Sequence, residues 1–302
     1  MIASIVLPVV LVVVLLGAVA ALIRRTRKGG TRKALETVAL GLRAVAEGRP
    51  HGTRPLPEVH AVFYSAQRLT LRLAEADAPA PAPWTADVSG KEWSVEPASL
   101  RRTGNVGAGH THPYSLTVTL GRHGDDRVLV DLSRLAGTIA LTGDNNDVLR
   151  LAQALITELV SGPVGLLATV VLVGTAASPS VTDGLGARSP RLHTADTQGE
   201  ALTCGPSEPS GPVPPASAFQ TRHIRHDRAT VATGSPSRRL FVVTAAQFRN
   251  EKWRDTPLRG TDTLLVLGYI PHADWQFQIN ADGSLDTGRL GLPIDTHTAC
   301  FS

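Results

Sequence analysis

The sequence predicts an α/β protein built on a mostly parallel, doubly wound sheet, preceded by one transmembrane helix and a helical stalk. Three observations predict it. Ile2 to Ile23 form an apolar run without a charge. Val59, Val62, Phe63, Ala66, Leu69 and Leu73 recur at the three- and four-residue spacing of a helix. Between Gly137 and Gly174, an apolar strand, an amphipathic helix and a second apolar strand follow one another. That is the order of a parallel βαβ unit, whose strands are apolar throughout because both faces are covered.

The first run sets the topology. About 20 apolar residues rising ~1.5 Å each match a hydrocarbon core of roughly 30 Å. Pro8 falls near the outer end, where its missing N–H costs least. Arg24, Arg25, Arg27, Lys28, Arg32 and Lys33 follow the run and no cation precedes it. Cationic flanks stay on the cytoplasmic side. The expected location is therefore the cell inner (plasma) membrane, with the N-terminus outside, the C-terminal domain cytoplasmic and those six cations against the lipid bilayer. A cleavable signal peptide ending at Ala18-Val19-Ala20 is the alternative. It fits less well, because the segment begins without positive charge and ends in Arg24-Arg25.

Those six cations also account for the basic balance. The chain of 302 residues carries 30 Lys and Arg against 26 Asp and Glu. Without the cluster, 24 basic residues face the same 26 acidic ones, so the body is slightly acidic. Nucleic acid is not an expected partner: the one other basic stretch, Arg222 to Arg228, is diluted by Asp227 and has no interleaved aromatics. An apolar fraction of 42 % suits a folded chain with one or two cores. Cys204 and Cys300 lie too far apart for a CxxC motif.

Four segments follow along the chain: a transmembrane helix at 1–23, a juxtamembrane basic cluster with helices at 24–78, a Pro/Ala/Gly-rich linker at 79–113, and an α/β domain at 114–302. In the second, Ala34 to Glu47 has helical composition and stops at Gly48. The stripe of 57–76 packs on the body, or alternatively forms a homodimer seam. Trp84 and Trp93 anchor the exit of the linker. Within the last domain, 115–120 and 127–132 read as a hairpin, GTIALTG as a buried strand, Asp147 to Val160 as a helix, and LLATVVLVG as the next strand. RLFVVTA and TLLVLGYI add strands, and WQFQIN with SLDTGRL closes as a hairpin. A flexible insertion is expected at about 177–237, with a strand and helix around Arg191 to Leu202.

The stretch Leu116 to Gly174 resembles the nucleotide-binding core of the FtsK-type translocases and type VII secretion ATPases. The likeness lies in Leu120-Gly121-Arg122, Val130-Asp131-Leu132, the strand ending at Thr142-Gly143 and the helix that follows. A wider likeness, to actinobacterial single-pass membrane proteins of which some carry LysM or transcriptional-activator domains, rests on Leu141 to Asp144, Trp275 to Gly283 and Leu290 to Leu292. The resemblance implies a phosphate-loop-like fold. The chemistry breaks from it. A working phosphate loop needs GxxxxGK[ST], with glycines, a Lys and a hydroxyl aimed at phosphate and Mg²⁺. Here the positions are Gly143, Asp144, Asn145, Asn146 and Asp147, without that Lys or hydroxyl, and two carboxylates would repel a polyphosphate. The second strand ends in Gly174-Thr175 rather than an Asp.

The degenerate loop implies a non-enzymatic, membrane-anchored interaction or regulatory protein with a pseudo-ATPase-like domain, serving a secretion, conjugation or envelope-associated system. Its partner would be a protein at the inner membrane face. The alternative is a nucleotide-binding sensor or enzyme with a phosphate site of nonstandard design. No catalytic residue, cofactor or metal is expected. No Ser sits in a GxSxG turn, and the pairs His110/His112 and His223/His226 lack carboxylate or Cys neighbours at zinc-site spacing.

Overall fold

The computed structural model describes residues 30–48, 55–102, 114–135, 137–182, 189–204, 238–260 and 262–300. In chain order the elements are α1 (30–47), β1 (Val59–Tyr64), β2 (Leu69–Leu73), β3 (Thr85–Ala86), β4 (Glu92–Val95), α2 (Pro97–Arg102), β5 (Thr117–His123) and β6 (Asp126–Asp131). There follow β7 (Thr138–Thr142), α3 (Asn145–Ser161), β8 (Ala168–Val173), α4 (Pro179–Thr182), β9 (Leu192–Ala195), α5 (Gln198–Thr203), β10 (Arg238–Thr244) and α6 (Ala245–Asn250). The chain closes with β11 (Asp262–Leu267), β12 (Trp275–Ile279), β13 (Leu285–Asp286) and β14 (Thr296–His297).

These strands form two seven-stranded sheets, which overturns the expected single doubly wound sheet behind a membrane helix and helical stalk. The first, ordered β14-β5-β6-β1-β2-β4-β3, is antiparallel throughout. The second, ordered β13-β12-β7-β11-β10-β8-β9, is mixed: β12 and β13 run antiparallel and the remaining neighbours parallel. The antiparallel sheet exists because two hairpins, β1–β2 and β5–β6, join edge to edge through the β1–β6 ladder.

The stripe expected as a helix over 57–76 is the β1–β2 hairpin, so the proposed helical dimer seam has no helix to form it. Leu69, Leu71 and Leu73 alternate inward with Thr70 and Arg72 between them, which is the period of a strand. At the turn, the Ser65 N–H donates to the Arg68 carbonyl and the Arg68 N–H returns to Ser65 Oγ. The Pro-rich stretch expected as a linker supplies β3 and β4 to the sheet edge. Trp84 and Trp93 are buried there, and Trp93 Nε1 donates to the Asp77 carbonyl at 2.6 Å.

Three apolar cores stack between the layers. Leu35, Val38, Leu42 and Val45 of α1 cover the outer face of the antiparallel sheet, against Leu69, Leu71, Trp84 and Trp93. The amphipathic α3 lies between the two sheets and buries Leu151, Leu155, Ile156 and Leu159 against Val118, Leu120, Val170 and Leu172. On the far face of the mixed sheet, Phe241, Val243, Trp253 and Val266 pack with Ala201 of α5 and Phe248 of α6.

Residues 1–29, with the expected membrane span and Arg24, Arg25, Arg27 and Lys28, lie outside the described residues. Among the described residues no helix is long and apolar enough to cross a membrane. The first helix that is described, α1, is amphipathic and spends its apolar side on the sheet. The single-pass inner-membrane location with a cytoplasmic domain is set aside accordingly.

Candidate functional site

The bend at the carboxyl end of β7, Gly143 to Asp147, is filled by the protein's own groups. Gly143 has φ +143°, and a Cβ there would come within 2.9 Å of Ile279 Cβ and of its carbonyl oxygen. Only glycine lets the backbone pass that close. Asp144 caps α3: its Oδ1 accepts the Asn146 N–H at 2.9 Å, and its carbonyl accepts the Val148 N–H at 2.9 Å. Asp147 adds a second carboxylate in the first helical turn, where the dipole favours negative charge, and takes a hydrogen bond from Arg150. The free amide of Asn146 thus meets the Asp144 carboxylate, and a second carboxylate, Asp147, stands in the same turn.

Beside the bend lies a cavity of about 390 Å³. Thr142, Asp144, Asp147, Tyr269, Gln278 and Asn280 supply its polar groups. Thr142 Oγ1 is 3.2 Å from the Phe277 carbonyl and 2.6 Å from Gln278 Oε1, which ties β7 to β12. Tyr269 follows β11 and is 64 % exposed, one of few large apolar side chains left in solvent among the described residues. Carboxylates, amides and an open phenol suit a ligand rich in hydrogen-bond donors or positive charge. A larger cavity of about 470 Å³ lies along β2 and β4, between His60, Arg72, Asp87, Lys91 and Glu92. Its charges are mixed in sign, as in the Arg72–Glu92 pair at 3.1 Å, so it presents no single chemistry.

The end of β8, unlike the bend after β7, presents glycine and threonine rather than carboxylates. Gly174 has φ +50° and packs against the Gln247 amide, and Thr175 Oγ1 lies 3.1 Å from Thr244 Oγ1. Among the described residues no group of three or more His, Cys, Asp or Glu could hold a metal ion.

Two acids are enclosed between the sheets. Glu158 on α3 accepts the Thr119 N–H at 2.9 Å and the Thr119 hydroxyl at 3.0 Å. Loss of solvent pushes its carboxyl up to about 7, against the pull of those donors and of Arg127. Asp131, 3 % exposed, caps a short helical turn by accepting the Ser133 N–H and hydroxyl, while its Oδ2 has no hydrogen-bond partner. Burial raises it too, opposed by Ser133, Arg238 and Arg134.

Of the other residues singled out in the sequence, Arg32 forms an exposed pair with Glu36 at 3.1 Å, and Lys33 offers its carbonyl to the Thr37 hydroxyl. His110, His112, His223, His226 and the stretch Arg222 to Arg228 lie outside the described residues. One pairing was missed: Cys300 Sγ is 3.3 Å from His297 Nε2. Its one signal in the sequence is the i, i+3 spacing of His297 and Cys300, which belongs to no known cysteine motif. No protein-family model matches the chain, and no curated protein matches its sequence.

Proposed function

We propose that the chain is a non-catalytic interaction module, and that the bend after β7 recognises a protein partner instead of cleaving a nucleotide. The observation that carries this reading is the pair of carboxylates at the start of α3: Asp144 is spent on the helix cap and Asp147 holds Arg150, so the place of a polyphosphate is acidic and self-satisfied. The polar cavity beside it favours a protein segment that brings Lys, Arg or free amide donors. A role in a secretion, conjugation or envelope-associated system follows only from the resemblance to the translocase and secretion ATPases.

A second reading, a nucleotide sensor or an enzyme of nonstandard design, draws on the position of that cavity. It sits at the carboxyl ends of parallel strands β7 and β12, where open α/β sheets bind ligands. Calorimetric titration of the full chain with ATP and GTP in the presence of Mg²⁺ separates the two. The interaction reading expects no heat of binding. Micromolar affinity that disappears on Gly143→Val would establish the sensor and sink the interaction module.

A further inference from the structure

The last described turn of the chain places a thiol against an imidazole in a rigid frame. His297 lies in β14, paired with Gly121 of β5, and its N–H donates to the Gly283 carbonyl at 3.0 Å. A side chain at Gly121 would strike the Thr296 carbonyl at 2.3 Å and His297 Cα at 3.1 Å, so this close approach depends on glycine. Thr298, 5 % exposed, fixes the next residue by donating from Oγ1 to the Thr119 carbonyl at 2.5 Å. The geometry that results is Cys300 Sγ at 3.3 Å from His297 Nε2, with Cys300 exposed and His297 only 2 % exposed. Nδ1 of the same ring is buried without a hydrogen-bond partner. The ring is therefore held by packing and by its backbone, with one nitrogen aimed at sulfur.

The geometry points to Cys300 as a modification site: a base-assisted thiol that takes up one half of a low-molecular-weight disulfide. Sγ attacks one sulfur of the incoming disulfide as Nε2 accepts the thiol proton. The S–S bond of the reagent breaks, its leaving thiolate takes that proton from Nε2, and Cys300 is left as a mixed disulfide. Cys300 is oxidised and half of the reagent is reduced, so electrons and protons balance without another reactant. The imidazole begins neutral, because burial depresses it, with Asp147 opposing and Arg150 assisting. A neutral ring has a nitrogen free to accept. The step uses the tautomer that carries its hydrogen on Nδ1, and the nearby Asp147 carboxylate stabilises the imidazolium that forms.

The same carboxylate borders the cavity at the bend after β7, and the turn of Asn280 to Ser284 joins the two places. A Cβ on Gly283 would stand 3.7 Å from Cys300 Sγ. A mixed disulfide on Cys300 would thus add bulk at the rim of the surface that the interaction reading assigns to a partner. The thiol chemistry itself does not depend on that reading.

Cys204 supplies an internal comparison, since burial and Glu200 hold its thiol up, against Arg239. The test reacts the full chain with the uncharged disulfide 2,2′-dithiodipyridine at pH 7.5 and assigns each thiol by peptide mass. Native Cys300 should react about tenfold faster or more than native Cys204 and than Cys300 in the urea-unfolded chain, the low end of what a positioned base supplies. His297→Asn should remove that excess while leaving the melting profile intact. A native Cys300 rate at or below the unfolded one overturns the proposal, and so does a folded His297→Asn chain that reacts at the wild-type rate. Should His297→Asn not fold, the native and unfolded rates of the wild-type chain decide.

Discussion

Arg239 and Asp262 meet across the first residues of β10 and β11 as a two-pronged ion pair, with Nε at 3.0 Å from Oδ1 and an Nη at 2.7 Å from Oδ2. Both side chains are almost fully buried, 7 % and 1 % exposed. The other guanidinium nitrogen donates to the carbonyls of Leu202 and Cys204, so one side chain ties two parallel strands to the end of α5. Desolvation of such a pair costs about what its attraction returns, but removing one partner strands a buried charge. Asp262→Ala should cost about 3–5 kcal/mol in urea unfolding, and the double change Arg239→Met with Asp262→Leu should recover most of it. Equal losses from the single and double variants would show that the pair, and not the stranded charge, carries the stability.

The carboxyl contribution to stability should fall as pH rises from about 4.5 to about 7, opposed by His297, whose depressed imidazole favours folding as pH rises toward 6.5. Glu158 is the reason: its carboxyl is ordinary near 4.5 in the unfolded chain and about 7 when folded. Over that window the folded state holds the proton and the unfolded state does not, so raising pH favours unfolding. Asp131 shifts the same way and adds to the trend. Because Glu158 is not wholly enclosed as a residue, solvent screens part of the effect, which we place at about 1 kcal/mol. The exposed Asp87, Asp282 and Asp295 are held below their usual range, first by Ser89, Ser284 and the Gly124 N–H respectively, and work in the opposite direction below about pH 4. Glu158→Gln keeps an acceptor for Thr119 and should flatten the slope between pH 5 and 7 in urea titrations. An unchanged slope would assign it to other groups.

The bend after β7 should tolerate loss of charge better than loss of shape. Asp144→Asn keeps the capping oxygen and should leave stability within about 0.5 kcal/mol, whereas Asp144→Ala should cost about 1 kcal/mol. Gly143→Ala meets both a left-handed backbone and the Ile279 carbonyl at 2.9 Å, and should cost about 2 kcal/mol or more. Thermal melts of the three variants check the order, and a harmless Gly143→Ala would mean that the bend is looser than described.

How much of this was legible in the sequence depends on the range of the interactions. The unit β7–α3–β8 could be read, because Leu151, Leu155, Ile156 and Leu159 repeat at helical spacing between two continuous apolar runs. The β1–β2 hairpin was misread because six apolar residues from Val59 to Leu73 satisfy a helical count, while the deciding feature is the alternation Leu69, Leu71, Leu73 around an unobtrusive Ser65–Arg68 turn. Proline density suggested a free linker, yet Trp84 and Trp93 draw that segment onto the sheet. Of the antiparallel sheet, the β5–β6 hairpin was legible, but its joining to β1–β2 left no local trace. The central ladder joins Val62 to Leu129, partners far apart in the chain. At the site, the missing Lys and hydroxyl of a phosphate-loop motif could be read from residue types alone, whereas Tyr269 and Gln278 could be placed beside Asp144 only by the fold.

The packing of α1 gives the sharpest test of the antiparallel layer, because two known effects oppose each other at Gly41. Replacing a mid-helix glycine by alanine stabilises an exposed helix by about 1 kcal/mol. Here, however, a Cβ would lie 2.4 Å from Leu69 Cδ2 and 3.2 Å from the Trp84 ring. Leu69 is fully buried, so its methyl has nowhere to retreat, and overpacking of this kind costs about 1–3 kcal/mol. Gly41→Ala should therefore destabilise, by about 1 kcal/mol net, while Leu42→Ala on the same face should cost about 2–5 kcal/mol by opening a cavity. A fragment that begins at Gly52 loses the helix altogether and bares Val62, Leu71 and Trp93. It should bind a hydrophobic dye and precipitate where a fragment from residue 30 remains folded. A stabilised Gly41→Ala chain, read by urea unfolding, would instead place α1 away from the sheet.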